Sequence, residues 1–320
     1  MHANGITQEE VKRFKKEKEK RQKRKELANK QKYSSLNSYL GYIIIGEDYL
    51  YFYQVKTKIA KRFSIKHLKQ RGCEDFFIGP LYFIIGGSVQ PKWTRSVNVE
   101  KDFEIEKRAN MKVGRYFMDS NTTDNRHIYV MGGRNPARCF SSCEKYFIEQ
   151  NKWTMIKPMN VARDCMSSGV MDYRYIYVIE GRNDTGFIRS IERLDTLDED
   201  QGWILFYVYP NSLPRTAKCG CWCIQINNSE LLIAGGTRTF NDKATSDVWT
   251  FNTNTTEMKP YRQNLPIEAE LYTPAILYKG WYYQVKYCYK DTKLDLIRFS
   301  TVLGNFEITP FKSIWRKKTL

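Results

Sequence analysis

An all-β chain, folded as a six-bladed β-propeller behind a short basic arm, is what this sequence predicts, and three observations carry the prediction. The first is an apolar strand that keeps ending in glycine: Y-F-I-I-G-G at Gly87, Y-V-M-G-G at Gly133, I-Y-V-I-E-G at Gly181 and L-L-I-A-G-G at Gly236. Alternating apolar residues such as Ile128 and Val130 suit a buried strand. The second is spacing. These copies stand 46, 48 and 55 residues apart, with weaker copies ending at Gly46 and Tyr287. One unit cannot bury its own apolar face, so it needs copies beside it, and a period of 40 to 50 with four short strands means radial repetition. The third is composition. The chain holds 22 Tyr and 17 Phe, which suits strands and opposes disorder.

The chain divides into an arm, residues 1–32, and a propeller, residues 33–320. Within 8–32, twelve residues are Lys or Arg and five are Glu, a net of +7. These are helix formers, but Val11, Phe14, Leu27 and Ala28 are too few for a coiled-coil seam. The segment reads as a solvated basic arm, at most partly helical. Lys12, Arg13, Lys15, Lys16, Arg21, Lys23, Arg24 and Lys25 would be its phosphate-binding or nuclear-import residues if it binds anything; a plain soluble tail is the alternative.

The first blade is expected at Tyr33–Lys69, with strands near Tyr42–Ile45, Tyr49–Val55 and Ile59–Ile65. The second spans Gln70–Arg108, with Phe76–Ile78, Leu81–Ile85 and Val97–Val99. The third, Ala109–Met159, shows the unit most clearly: the strand into Gly132 and Gly133, a polar loop, a strand at Tyr146–Ile148, a turn at Gln150–Lys152, and a strand opened by Trp153. The fourth runs Asn160–Leu213, the fifth Pro214–Asn264 and the sixth from Leu265 to about Leu320. The ring must close, since an open edge invites aggregation. Either Tyr33–Leu40 or the tail S-I-W-R-K-K-T-L supplies the closing strand.

The chain resembles the kelch-repeat β-propellers. That family is marked by a glycine pair after an apolar strand, a tyrosine strand, and a tryptophan some twenty residues on. Here Trp153 follows Gly133 by 20 and Trp203 follows Gly181 by 22. Glu180 replaces a glycine in the fourth copy, Met258 a tryptophan in the fifth, and Phe103 a tryptophan in the second. The resemblance implies a binding module, often one that takes acidic peptide segments on one face. A few kelch-like propellers are copper oxidases with tyrosine and histidine ligands, but His2, His67 and His127 are the only histidines here.

Other classes fall away on sequence grounds. No apolar run approaches a membrane span and the N-terminus has no secretory core. The expectation is a soluble intracellular protein, cytoplasmic, or nuclear if the arm is an import signal. Cys73, Cys165 and Cys288 stand alone; Cys139 and Cys143 are four apart. Cys219, Cys221 and Cys223 alternate on one predicted strand and share a face, but no histidine or C-x-x-C accompanies them, so they read as small buried hydrophobes rather than metal ligands. No nucleophile elbow or phosphate loop appears. The acids Asp195, Asp198, Glu199 and Asp200 read as a solvated hairpin. No catalytic set, metal or cofactor is expected.

The candidate binding residues lie in two loop sets that a propeller places on one face. After the glycine pairs come Arg134, Arg182 and Arg238, with Asn135 and Asn183 beside the first two. In the linkers before the next inner strand come Arg115, Arg163 and Arg215. Arginine's planar fork pairs carboxylate bidentately, so these six would suit an acidic protein segment. The alternative is that each linker arginine braces its own blade against a carboxylate or carbonyl. Against both stands a nucleic-acid-associated role through residues 8–32, favoured by the +17 net charge.

Overall fold

The computed structural model of the chain describes residues 39–44, 49–54, 59–64, 68, 71–207, 220–237, 244–268, 275–288 and 293–310. The arm, Arg215, Arg238, Cys219, most of Tyr33–Leu40 and the tail after Pro310 lie outside the described residues.

The strands form consecutive antiparallel meanders. The first sheet holds β1 (Tyr39–Ile44), β2 (Tyr49–Gln54) and β3 (Ile59–Ser64). The second holds β4 (Glu74–Ile78), β5 (Leu81–Ile85), β6 (Thr94–Asn98) and β7 (Glu104–Lys107). The third holds β8 (Asp119–Asn121), β9 (His127–Met131), β10 (Cys143–Phe147) and β11 (Lys152–Ile156). The fourth is β12 (Ser167–Met171), β13 (Tyr175–Ile179), β16 (Ser190–Asp195) and β17 (Trp203–Tyr207), with a small ribbon of β14 (Arg182–Asn183) and β15 (Gly186–Phe187) in its loop. The fifth is β18 (Trp222–Gln225), β19 (Glu230–Ala234), β20 (Val248–Asn252) and β21 (Met258–Pro260). The sixth is β22 (Ile276–Tyr278), β23 (Trp281–Cys288), β24 (Lys293–Ser300) and β25 (Phe306–Pro310).

The fold is an all-β propeller in which, among the described residues, five blades have four strands. The sequence predicts six; the first copy folds as three strands. The first strand of a blade is the inner one: β8 lies beside β12, β12 beside β18, and β1 beside both β4 and β23. Helix is confined, among the described residues, to one 3-10 turn at Glu199–Gln201. No helix among the described residues is long and apolar enough to cross a membrane.

The core is a series of layers between neighbouring sheets, as repeats that cannot bury their own faces require. Ile128, Val130 and Trp153 of the third blade pack on Phe83 and Ile85 of the second. Ile176 and Val178 of the fourth pack on Tyr129 and Met131 of the third. Leu231 and Ile233 of the fifth meet Tyr177 and Ile179 of the fourth. The tryptophans of the motif are inter-blade anchors. Trp153 donates its indole N–H to the Ala109 carbonyl at 2.9 Å, and Trp203 donates to the Lys157 carbonyl at 3.1 Å. Met258 fills the corresponding buried place at the start of β21 without an indole.

The acids of 195–200 are not simply a solvated hairpin. Glu199 accepts hydrogen bonds from the Tyr129 hydroxyl at 2.7 Å and from Lys145 at 2.6 Å, tying the fourth blade to the third. Asp195 pairs with Arg174.

Candidate interaction face

The glycine pairs set the geometry of the loop face. Gly132 holds φ +55 and Gly133 φ +84, conformations in which a side chain is strained. This turn lets the next linker pass close above: a Cβ on Gly132 would stand 2.4 Å from the Arg163 carbonyl, and one on Gly86 2.6 Å from the Arg115 carbonyl. Gly133 N–H donates to the Arg163 carbonyl at 2.9 Å and Gly87 N–H to the Arg115 carbonyl at 3.1 Å. Glu180 takes the same left-handed conformation, φ 52, where its copies carry glycine.

The linker arginines brace their blades. Arg115 is fully buried, as is its partner Glu144, and the two meet at 3.0 Å. Arg115 Nη1 also donates to the carbonyls of Gly132 and Ser142, both at 2.7 Å. Glu144 accepts the N–H groups of Lys112 at 2.7 Å and Val113 at 3.0 Å. Forty-eight residues later the constellation recurs. Arg163 reaches Glu192 at 2.7 Å and the carbonyls of Glu180 at 2.8 Å and Ser190 at 2.9 Å. Glu192 accepts the N–H groups of Asn160 at 2.6 Å and Val161 at 3.0 Å. Burial lowers the pKa of both guanidiniums, and the paired glutamates pull it back up. Neither arginine lies on an open surface, which corrects their assignment as partner-binding residues. A buried pair of this kind is tolerated because both oxygens of each glutamate accept linker N–H groups as well as the guanidinium's charge, although Arg163 Nε is left without an acceptor.

The loop arginines behave differently. Arg134 and Arg182, from adjacent blades, converge on one fully buried carboxylate. Asp164 accepts from Arg134 Nη1 at 3.0 Å and from Arg182 Nε at 2.7 Å. Arg134 Nη2 also lies 3.6 Å from the half-exposed Asp184. Their side chains stay 23% and 27% exposed. For Arg134, burial opposes the charge but the bonds and charge of Asp164 outweigh it, so its pKa is raised. Asp164 also receives the Cys139 thiol at 3.5 Å, and burial with that carboxylate pushes Cys139 up to about 12, an inert thiol. Asn135 and Asn183 cap their own turns. The Asn135 side chain accepts from the N–H of Ala137 and Arg138, and that of Asn183 from Thr185, all at 2.9 Å.

Three acids that complete these arrangements were not picked out from the sequence. Glu144 and Glu192 stand 48 apart, the same interval as Arg115 and Arg163, and subtraction would have found them. Asp164 has Tyr116 at its equivalent position, so no recurrence marks it.

The inner strands bring another acid together with cysteines. Asp119 of β8 accepts the Ser120 N–H at 2.6 Å. Burial raises its pKa to about 7, only partly offset by hydrogen bonds from Ser120 and Ser168. Cys221 and Cys223 are buried in the layer between the fourth and fifth blades, and a Cβ on Gly169 would stand 2.3 Å from the Cys223 sulfur. They serve as small apolar residues. Among the described residues no three His, Cys, Asp or Glu side chains gather as metal ligands would. The raised Asp119 pKa has a consequence for stability. The folded protein holds a proton there that the unfolded chain, with an ordinary aspartate pKa near 4, has released. Stability is therefore full below about pH 4 with respect to this group and declines as pH rises toward 7. Asp119→Asn is expected to raise Tm at pH 8 and to flatten that slope between pH 4 and 7, read by thermal unfolding across the range. An unchanged slope would show Asp119 to be ordinary.

Comparison with known proteins agrees with this architecture. The Kelch motif model matches residues 120–160, which run from β8 through β11 and into the next linker. A comparison with curated proteins finds no match to the chain. The Kelch motif thus lies in the third blade, and the propeller arrangement of the sheets around it supports a kelch-repeat β-propeller.

Proposed function

We propose that the protein is a non-catalytic interaction module, an adaptor or scaffold subunit, that presents the Arg134–Arg182 side of its loop face to an acidic protein segment. The carrying observation is the convergence of these two arginines from adjacent blades on the buried Asp164. The aspartate fixes both guanidiniums while leaving part of each to solvent, so a bound carboxylate would meet donors already held in place. Kelch propellers are typically interaction modules, which supports the same reading. The first sheet is taken as a sixth blade, since β1 sits beside both β4 and β23.

The test is titration of a Glu/Asp-rich 12-residue peptide against the full chain. Arg134→Gln with Arg182→Gln is expected to weaken binding at least tenfold. Asp184→Ala, which removes a competing carboxylate, is expected to tighten it a few-fold. Equal affinity in all three would sink the reading. The competing role, nucleic-acid binding through residues 8–32, is favoured instead if a single-stranded oligonucleotide binds the full chain and not residues 33–320.

A further inference from the structure

We infer that the rim between the first and second blades is a second docking site, one that takes an extended acidic segment of a partner protein as the missing outer strand of the first sheet. It is separate from the loop face and rests on only one part of the function proposed above, the placing of the first sheet as a blade.

The first observation is a shortage of chain. Between the third strand of one sheet and the inner strand of the next lie residues 99–118, 148–166, 196–221 and 253–275 in the other blades. Each of those stretches contains an outer strand and a linker. After β3 there are only residues 65–73 before β4 begins. Nine residues cannot supply a turn, a strand and a linker, when the shortest alternative uses 148–166. Among the described residues β3 therefore ends its sheet, with no strand paired on its outer side. Such an edge presents a row of backbone donors and acceptors to another chain.

The second observation is a buried cation. Arg95, on β6, is 8% exposed. Its guanidinium lies 4.1 Å from the centre of the Trp93 ring and donates to the Thr94 carbonyl at 2.9 Å. Among the described residues it has no carboxylate partner. Burial lowers its pKa with no neighbouring acid to offset this. The repeat shows what belongs there. Arg95 pairs with Ile84, as Glu144 pairs with Val130 and Glu192 with Val178. In the third and fourth blades this position is a glutamate that receives the preceding linker and its arginine. The second blade has the opposite charge at that place.

Arg95 lies on the side of the second sheet where the connection from the first sheet packs. Thr94 receives the Trp153 indole of the third blade at 3.2 Å, so Arg95, one residue on, points to the other side. Val97 shares that side and packs with Leu68 and Cys73, residues that join the first sheet to the second. A strand added to β3 would thus run past Arg95, and a carboxylate on it would supply the missing partner.

Charge selects the occupant. By sequence β3 is basic, with Lys61 and Arg62 and no acid, a charge that suits an acidic segment better than a second β3. The chain's own ends are poor candidates: 311–320 holds Lys312, Arg316, Lys317 and Lys318 and no acid, and 8–32 has a net +7.

The test uses the full chain with two synthetic eight-residue peptides, Val/Thr alternating with Glu and Val/Thr alternating with Lys. The expected result is saturable binding of the Glu peptide only, with slower hydrogen exchange confined to β3 amides. Arg95→Met is expected to lose that binding at least tenfold while leaving Tm equal or higher, because a desolvated, unpaired cation does not stabilise the free protein. Four results would overturn the proposal. One is no Glu-peptide binding at millimolar concentration. Another is Arg95→Met lowering Tm with binding intact. A third is β3 amides already protected in the free chain and released by deleting 311–320, which would make the tail the occupant. Protection appearing at the Arg134 and Arg182 loops instead of β3 would also overturn it while supporting the loop-face reading, so the two fail separately.

Discussion

Glu144→Ala should lower the stability of the propeller by about 3–5 kcal/mol, the usual cost of removing one partner from a buried ion pair. The Arg115 guanidinium would stay where it is, fully buried, with its charge uncompensated. The N–H groups of Lys112 and Val113 would lose their acceptors at the same time, and each orphaned group adds its own desolvation cost. A fall in Tm on the order of 10 °C follows from that range for a chain of this size. Glu192→Ala should match it, because Arg163, Asn160 and Val161 repeat the arrangement. The double variant Arg115→Met, Glu144→Leu should recover only part of the loss. It removes the stranded charge but leaves the Gly132 carbonyl and the two linker N–H groups unpaired, and the Ser142 carbonyl with only the Gly132 N–H. Full recovery in urea titrations would mean that the backbone bonds matter little and that the pair is electrostatic alone. A loss under 1 kcal/mol for either single variant would mean that the linkers are held by packing.

How far the sequence disclosed this architecture depended on what each element is made of. In the second to fifth blades the second strand is mostly buried and runs into glycine or, once, Glu-Gly, so Leu81–Ile85, His127–Met131 and Tyr175–Ile179 were legible from apolar runs alone. The inner strands of the third and fourth blades were not, although Phe76–Ile78 of the second was. Asp119–Asn121 and Ser167–Met171 are short and partly polar, because they line the middle of the ring, where neighbours are other inner strands rather than an apolar layer. The count of complete blades failed for a related reason. The first copy has the apolar strands of a blade but lacks the length for a fourth, and periodicity of glycine reports strands, not connections. At the site, the arginines recurred visibly but their roles did not. Arg115 and Arg134 are equally regular in sequence, yet one is sealed against Glu144 and the other reaches the surface beside Asp164. What separates them is the side chain across the turn, and that is a fact of three dimensions. Arg115 and Arg163, the linker arginines among the described residues, brace their blades because a repeat copies whatever holds its units together, carboxylate included.

Gly132→Ala is the sharper probe of why the glycine pair recurs, and its cost should be about 2–5 kcal/mol. A left-handed conformation costs a non-glycine residue ~1–2 kcal/mol, and overpacking a tight contact adds ~1–3 kcal/mol. The contact here is with backbone. A new Cβ would stand 2.4 Å from the Arg163 carbonyl and 2.6 Å from the Met166 methyl. The methyl can swing away, but the carbonyl belongs to the linker that carries the buried Arg163 and accepts the Gly133 N–H. To move it is to move the joint between the third and fourth blades. Gly79 supplies the control. It has φ +57, almost the same conformation, and a Cβ there would meet nothing within 4 Å. Gly79→Ala should therefore show only the conformational cost, ~1–2 kcal/mol. Chemical denaturation of both variants gives the difference directly. A larger loss at Gly132 assigns the motif to the close passage of one blade's linker over the next turn. Equal losses would assign it to backbone conformation alone, and would leave Glu180, which holds φ 52 in the fourth copy, as the natural sign that glycine is a convenience at this turn rather than a requirement.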